Sequence, residues 1–120
     1  MLSEKDIRER AEYCYLVCLQ LNWLDGNYNV RPGQYLDYLK KSSLGLAEDE
    51  YIRTSIEEGL MTGEEDAGLN ELILVYESLA LAFCEVLEIN REKLKEGIPL
   101  DRLKNLASEM GIILGDRVQG

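Results

Sequence analysis

Apolar residues recur along most of this chain at steps of three and four, the spacing that gathers side chains on one face of an α-helix. Ser3 with Asp6 predicts a capped helix start, and Ile7, Ala11, Cys14, Cys18 and Leu21 then form a seam that carries a first helix to about Asn22 or Leu24. Its second half, Tyr13-Cys14-Tyr15-Leu16-Val17-Cys18-Leu19, is apolar on every side, so it is either central in the fold or covered by another chain. Asp25-Gly26-Asn27-Tyr28-Asn29 reads as a turn, and Pro32-Gly33 opens a short helix through Tyr35, Leu36 and Leu39. That helix stops near Lys40 and Lys41, before a break at Ser42-Ser43-Leu44-Gly45.

The acids Glu48-Asp49-Glu50 predict a third helix start, with Ile52, Ile56 and Leu60 inward and Gly59 and Gly63 ending it. Thr62 and Glu65 predict a capping box ahead of the strongest periodic run in the chain, Leu69, Leu72, Ile73, Tyr76, Leu79, Ala80, Phe83 and Leu87. After Asn90 the helix continues or restarts as far as Gly97. Pro99 opens a last helix with Leu100, Leu103, Leu106, Ala107 and Met110 inward, Gly111 is its expected stop, and Ile112-Ile113-Leu114 is expected to dock on the core. The whole predicts an all-α, single-domain helical bundle of four to six helices with one long central helix, spanning residues 1–115 with a frayed tail at 116–120.

Composition narrows the picture. With 120 residues, 46% apolar and 30% charged, the chain has the size and make-up of one soluble domain. No run of apolar residues is long enough to span a bilayer, and no membrane partner is expected. The beginning of the chain shows no basic segment followed by an apolar run, and three cysteines, an odd number, fit a reducing compartment, so a cytoplasmic protein is expected.

Charge is distributed unevenly. Residues 48–88 hold twelve acids and one base, Arg53, whereas the rest of the chain holds eleven acids and twelve bases, so the net charge of −10 belongs to one contiguous stretch. Its field repels phosphate and attracts basic surfaces. Lys and Arg are scattered elsewhere, and no direct nucleic-acid contact is expected. On a helical wheel Leu74 and Leu81 fall among Glu77, Glu85 and Glu88, away from the main apolar stripe. A homodimer seam or a partner groove would cover them, and the side of the first helix bearing Tyr13, Tyr15 and Leu19 is a second candidate surface. The residues expected to bind a partner are Glu57, Glu58, Glu64, Glu65, Leu74 and Leu81.

Histidine is absent, which removes the usual general base and the commonest transition-metal ligand. Asp25, Asn27 and Asn29 match positions one, three and five of a calcium loop, but Val30 stands where the glycine turn is needed and Leu36 where the bidentate glutamate belongs. Cys14, Cys18 and Cys84 fall short of four ligands for structural zinc, and their placement in core seams reads as small apolar residues. No metal site and no cofactor are expected. Gly45-Leu46-Ala47-Glu48, Glu71-Leu72 and Asn90-Arg91-Glu92-Lys93-Leu94 together resemble the all-α nucleoside triphosphate pyrophosphohydrolases of the MazG kind. That resemblance implies Mg²⁺ held by carboxylates paired one turn apart on two helices, and a nucleotide met by an Asn and a Lys on a later helix. This chain departs from the pattern with Tyr51 and Leu74 where the second carboxylate of each pair belongs, and with a short spacing from Glu71 to Asn90. The reading favoured by the residues is a small acidic interaction module, a regulator or inhibitor that binds a basic surface of a partner protein. The alternative is a divergent Mg²⁺-dependent hydrolase of the kind just named.

Overall fold

Ser3 and Asp6 start the chain's first helix with reciprocal bonds: the Asp6 amide donates to Ser3 Oγ at 3.1 Å and the Ser3 amide to Asp6 Oδ2 at 3.4 Å. The structure, a computed structural model, describes residues 2–26, 34–63 and 65–119, with the side chains of all of these except residues 60, 65–67 and 110–119. Among the described residues six α-helices follow one another, α1 (Glu4–Gly26), α2 (Tyr35–Leu39), α3 (Glu50–Thr62), α4 (Glu65–Leu87), α5 (Arg91–Gly97) and α6 (Leu100–Gln119), with a 3-10 turn at Leu46–Glu48. Among the described residues there is no strand. The fold is an all-α bundle, and two helices of 23 residues, α1 and α4, share the role expected of one.

These two helices are antiparallel neighbours: Cys18 Sγ lies 3.9 Å from the Ile73 carbonyl, while Ile7 borders the same surface depression as Leu87. Val17, Leu21 and Leu24 of α1 and Leu69 and Leu72 of α4 are withdrawn from solvent, with Cys14, Ile73, Tyr76 and Ala80 beside them. Burying each aliphatic side chain fully stabilises by about 1.5–3 kcal/mol, which makes this pairing the dominant contribution to the fold. Ile52 and Ile56 bring α3 onto the same cluster. The approach of α3 to α4 is close enough that a Cβ at Gly68 would stand 3.1 Å from the Ser55 carbonyl oxygen, so a side chain there would push the two backbones apart by a few tenths of an ångström.

The helix ends depart from the sequence reading in two places. Thr62 does not cap α4; its hydroxyl donates back to the Glu58 and Gly59 carbonyls at 3.1 and 3.3 Å, inside the last turn of α3. Gly63, at φ 77°, closes that turn with its amide on the Gly59 carbonyl, a left-handed position that spends the local chain on terminating α3. Gly111 does not stop α6, which continues to Gln119. Gly111 and Gly115 each lower helix stability by about 1 kcal/mol, and the intervening Ile112, Ile113 and Leu114 are tolerant enough of helix to carry them. The side chains at 112–114, expected to dock on the core, lie outside the described residues.

The wheel of α4 also needs correction. Leu79 is 40% exposed, and Phe83 and Leu87 are only partly covered. The cause is length: α3 begins level with Tyr76, whose hydroxyl meets Asp49 just ahead of α3, so it covers the first half of α4 and leaves the second to α1 and α5. On α6, Leu106 is buried with Leu16 and Ile98, whereas Leu100 and Ala107, expected inward, are exposed. Polar contacts complete the seating of α6. Arg102 approaches Glu12 at 3.8 Å, and Glu109 accepts from the Ser43 amide at 2.8 Å and from Gln20 Nε2 at 3.4 Å. Gln20, buried, in turn accepts from Ser42 Oγ at 2.6 Å.

Candidate interaction surface

Helix α4 carries more apolar residues than one core can cover. Its inward side is spent on α1 and α3, and what remains outward is Leu74 at 64% exposure, Leu81 at 47%, Val86 at 65% and Leu79 at 40%. At about 100° per residue, Leu74 and Leu81 form one ridge, Leu79 and Val86 form a second roughly 140° away with half-buried Val75 beside them, and the exposed small residues Ser78 and Ala82 lie between. Exposure of Leu74 and Leu81 follows from the sequence pattern. That of Leu79 and Val86 was missed, since a wheel fixes the angle of a residue but not the stretch of helix a neighbour covers.

Acids frame these ridges. Glu71, Glu85 and Glu88 are exposed and, among the described residues, make no ion pair. Glu77 is held by Arg91 at 3.0 Å. Glu88 closes α4 in the left-handed conformation, φ 59°, with its amide on the Glu85 carbonyl and the Ile89 amide on that of Cys84. On α3, Glu57 and Glu58 are exposed, the former 3.9 Å from Arg53. Glu64 lies outside the described residues, and Glu65 opens α4 with its side chain also outside them. The residues predicted to bind a partner thus sit on two helices, Glu57 and Glu58 on α3 and Leu74 and Leu81 on α4, all open to solvent.

No local pattern of residues points to the polar knot where α1, α3 and α4 meet. Asp49 caps α3 by accepting from the Ile52 amide through Oδ1 at 3.2 Å, and its Oδ2 receives the hydroxyls of Tyr13 at 3.5 Å and Tyr76 at 3.4 Å. Burial, then the charge of Asp49, pushes the Tyr13 hydroxyl up to about 12 and raises that of Tyr76 likewise. Both phenols therefore stay protonated as donors. Burial also raises the thiols of Cys14 and Cys84, and burial with the nearby Glu77 carries Cys18 to about 11, so all three free cysteines are held as thiols. Glu12 is raised by burial against the opposing pull of Arg102 and Arg8.

Among the described residues, no three His, Cys, Asp or Glu side chains gather where they could hold a metal ion. Asp25 is exposed at the end of α1, and Asn27 and Asn29 of the calcium-like pattern lie outside the described residues. Of the positions that resemble the pyrophosphohydrolases, Glu48 sits on the 3-10 turn and Glu71 on the outward side of α4. Asn90 caps α5 by accepting from the Lys93 amide at 2.8 Å, and Lys93 pairs with Glu96 at 3.6 Å. No helix of the described residues is long and apolar enough to cross a membrane. No family model matches the chain, and neither a curated protein nor a solved structure matches it.

Proposed function

We propose that this protein is a small helical interaction module, a regulator or inhibitor that docks through the acidic residues 48–88 on a basic surface of a partner protein, in the reducing compartment its unpaired cysteines fit. The observation that supports it is the outward face of α4, where exposed leucines and valine alternate with unpaired glutamates. An apolar patch rimmed by charge of one sign marks an interaction site more often than a merely solvated face, which has no use for the apolar part. Glu57 and Glu58, with Glu64 and Glu65 at the α3–α4 junction, extend the acidic field and would speed encounter with a basic partner. A homodimer through Leu74 and Leu81 is the competing cover for the same leucines.

A photo-crosslinking residue placed at position 81 or 86, with position 104 on α6 as control, tests the reading in the native host. The expected result is adducts at 81 and 86 whose cross-linked peptides are rich in Lys and Arg, and which fade as ionic strength rises over a Debye length of about 8 Å at physiological salt. Charge reversal of Glu57, Glu58, Glu64 and Glu65 should weaken the same adducts while the fold persists. Adducts at 104 alone would refute the proposal, as would Mg²⁺-dependent hydrolysis of nucleoside triphosphates that is lost on Glu48→Ala.

A further inference from the structure

We infer that the occupant of the α4 face is a single basic amphipathic helix, packed into the channel between the Leu74–Leu81 and Leu79–Val86 ridges; this rests on the interaction reading above. On a helix, four residues at i, i+3, i+4 and i+7 form a hole that receives one side chain of a facing helix. Here Val75, Ser78, Leu79 and Ala82 make one such hole, and Ser78, Leu81, Ala82 and Glu85 make the next. Each has an apolar residue on its rim and the exposed small side chains of Ser78 and Ala82 at its floor, so a facing helix can come close and seat leucine-sized side chains.

Charge then selects among helices. Glu71 stands at one end of the channel and Glu85 at the other, with Glu88 just past the end of α4 beyond the Leu81 ridge, all exposed and unpaired among the described residues. In any antiparallel pairing of α4 with its own copy, opposed residue numbers have a constant sum. The register that apposes Leu74 with Leu81 places Glu71 opposite residue 84 of the copy, beside Glu85; the one that apposes Leu74 with Val86 places it opposite residue 89, beside Glu88; the one that apposes Leu79 with Val86 places Glu77 opposite Glu88; and a parallel pairing places each glutamate beside itself. A second copy therefore brings acid to acid at both ends, whereas a helix with Lys or Arg outside its apolar stripe neutralises both. The helix-in-groove mode, with anchors at i, i+3 or i+4 and i+7, is the recognition chemistry that fits.

The probe is a labelled synthetic peptide with leucines at that helical spacing and lysines flanking them, read by fluorescence anisotropy against the full chain. Two comparison peptides carry the same composition scrambled, and glutamates in place of the lysines. The protein variant is Ser78→Gln with Ala82→Gln, which fills the channel floor at exposed positions without changing charge; Glu92→Gln with Asp101→Asn, exposed on α5 and α6, is its counterpart, changing charge outside the acidic stretch. Expected are binding of the patterned lysine peptide, binding weaker by about tenfold to the filled channel, which corresponds to about 1.4 kcal/mol, little change on the α5–α6 variant, and no binding of the glutamate peptide. Equal binding of the scrambled peptide, or no effect of filling the channel, overturns the helix while leaving the acidic-surface reading intact, since charge alone would then be recognised. Failure of every peptide also overturns it, and the crosslinking from positions 81 and 86 decides the broader reading separately. A dimer in sedimentation that dissociates on Leu74→Glu with Leu81→Glu would assign the face to a second copy instead.

Discussion

Replacing Asp49 by Ala removes three interactions with one carboxylate. The loss of an N-cap acid costs about 1 kcal/mol. A hydrogen bond from a neutral donor to a charged acceptor contributes about 1.5–3 kcal/mol at good geometry, but the tyrosine hydroxyls lie 3.4 and 3.5 Å away, beyond the usual O–H···O distance, so about 0.5 kcal/mol each is the larger share that survives. The total is about 2 kcal/mol. Unfolding entropy of roughly 2.1 cal/mol/K per residue over the chain converts this to a fall of about 8 °C in melting temperature. Asp49→Asn, which still caps, should lose only the tyrosine share, about 1 kcal/mol. Tyr76→Phe combined with Asp49→Ala should show a coupling of about 0.5 kcal/mol in a double-mutant cycle. The assay is calorimetric melting near neutral pH. An Asp49→Ala protein that melts like the wild type, or additive behaviour with Tyr76→Phe, would show that the three groups are neighbours without being energetically linked.

Three further expectations concern the core, a strained turn and alkaline pH. Leu72→Ala, at a fully buried site, should cost about 2–5 kcal/mol in urea unfolding, while Leu79→Ala should stay within about 0.5 kcal/mol of wild type; equal losses would place Leu79 inside. Glu88→Gly should raise the unfolding free energy by about 0.5 kcal/mol, and with it the urea midpoint, because the left-handed conformation costs an L-residue about 1–2 kcal/mol and glycine gives back only part of that as chain entropy; a lower midpoint would mean the turn is unstrained. The thiols and phenols have folded values raised above their unfolded ones, so their stabilising effect is whole at low pH and is lost as pH rises, from 9 through about 11 for Cys18 and from 10 through about 12 for Tyr13. Tyr13→Phe should flatten the upper part of that decline in unfolding experiments, and an unchanged decline would remove Tyr13 from it.

Helical periodicity made α1 and α4 legible from residues alone, because Ala11, Cys14 and Leu21 on one side and Leu69, Leu72, Ile73, Tyr76 and Ala80 on the other fall at positions a helix must bury. It could not say where a neighbouring helix ends. Leu79 has the right angle and lies beyond the reach of α3, while Cys84, absent from the predicted stripe, is covered by Ala11 and Leu94. Local signals compete in the same way. Thr62 and Glu65 have capping-box spacing, yet Gly63 between them ends α3 first. Asp49 was recognisable as an acid at a helix start, but its tyrosine partners are 36 and 27 residues distant and no local pattern links them. The exposed Leu74 and Leu81 were legible because they break the stripe; the second ridge was not, since Leu79 and Val86 conform to an ordinary apolar run.

The pairing of α1 with α4 also orders events during synthesis. The contact between Cys18 and Ile73 spans 55 residues, so at roughly 5–20 residues per second the ribosome delivers the partner of α1 some 3–11 s after α1 itself has been made. Through that interval the segment Tyr13 to Leu19, apolar on every side, lacks the cover that α4 gives it, whereas α3 and α4 are adjacent in sequence and can meet as soon as both are made. During synthesis α1 is thus left exposed while α3 and α4 cover one another, and it is α1 that a chaperone has reason to hold.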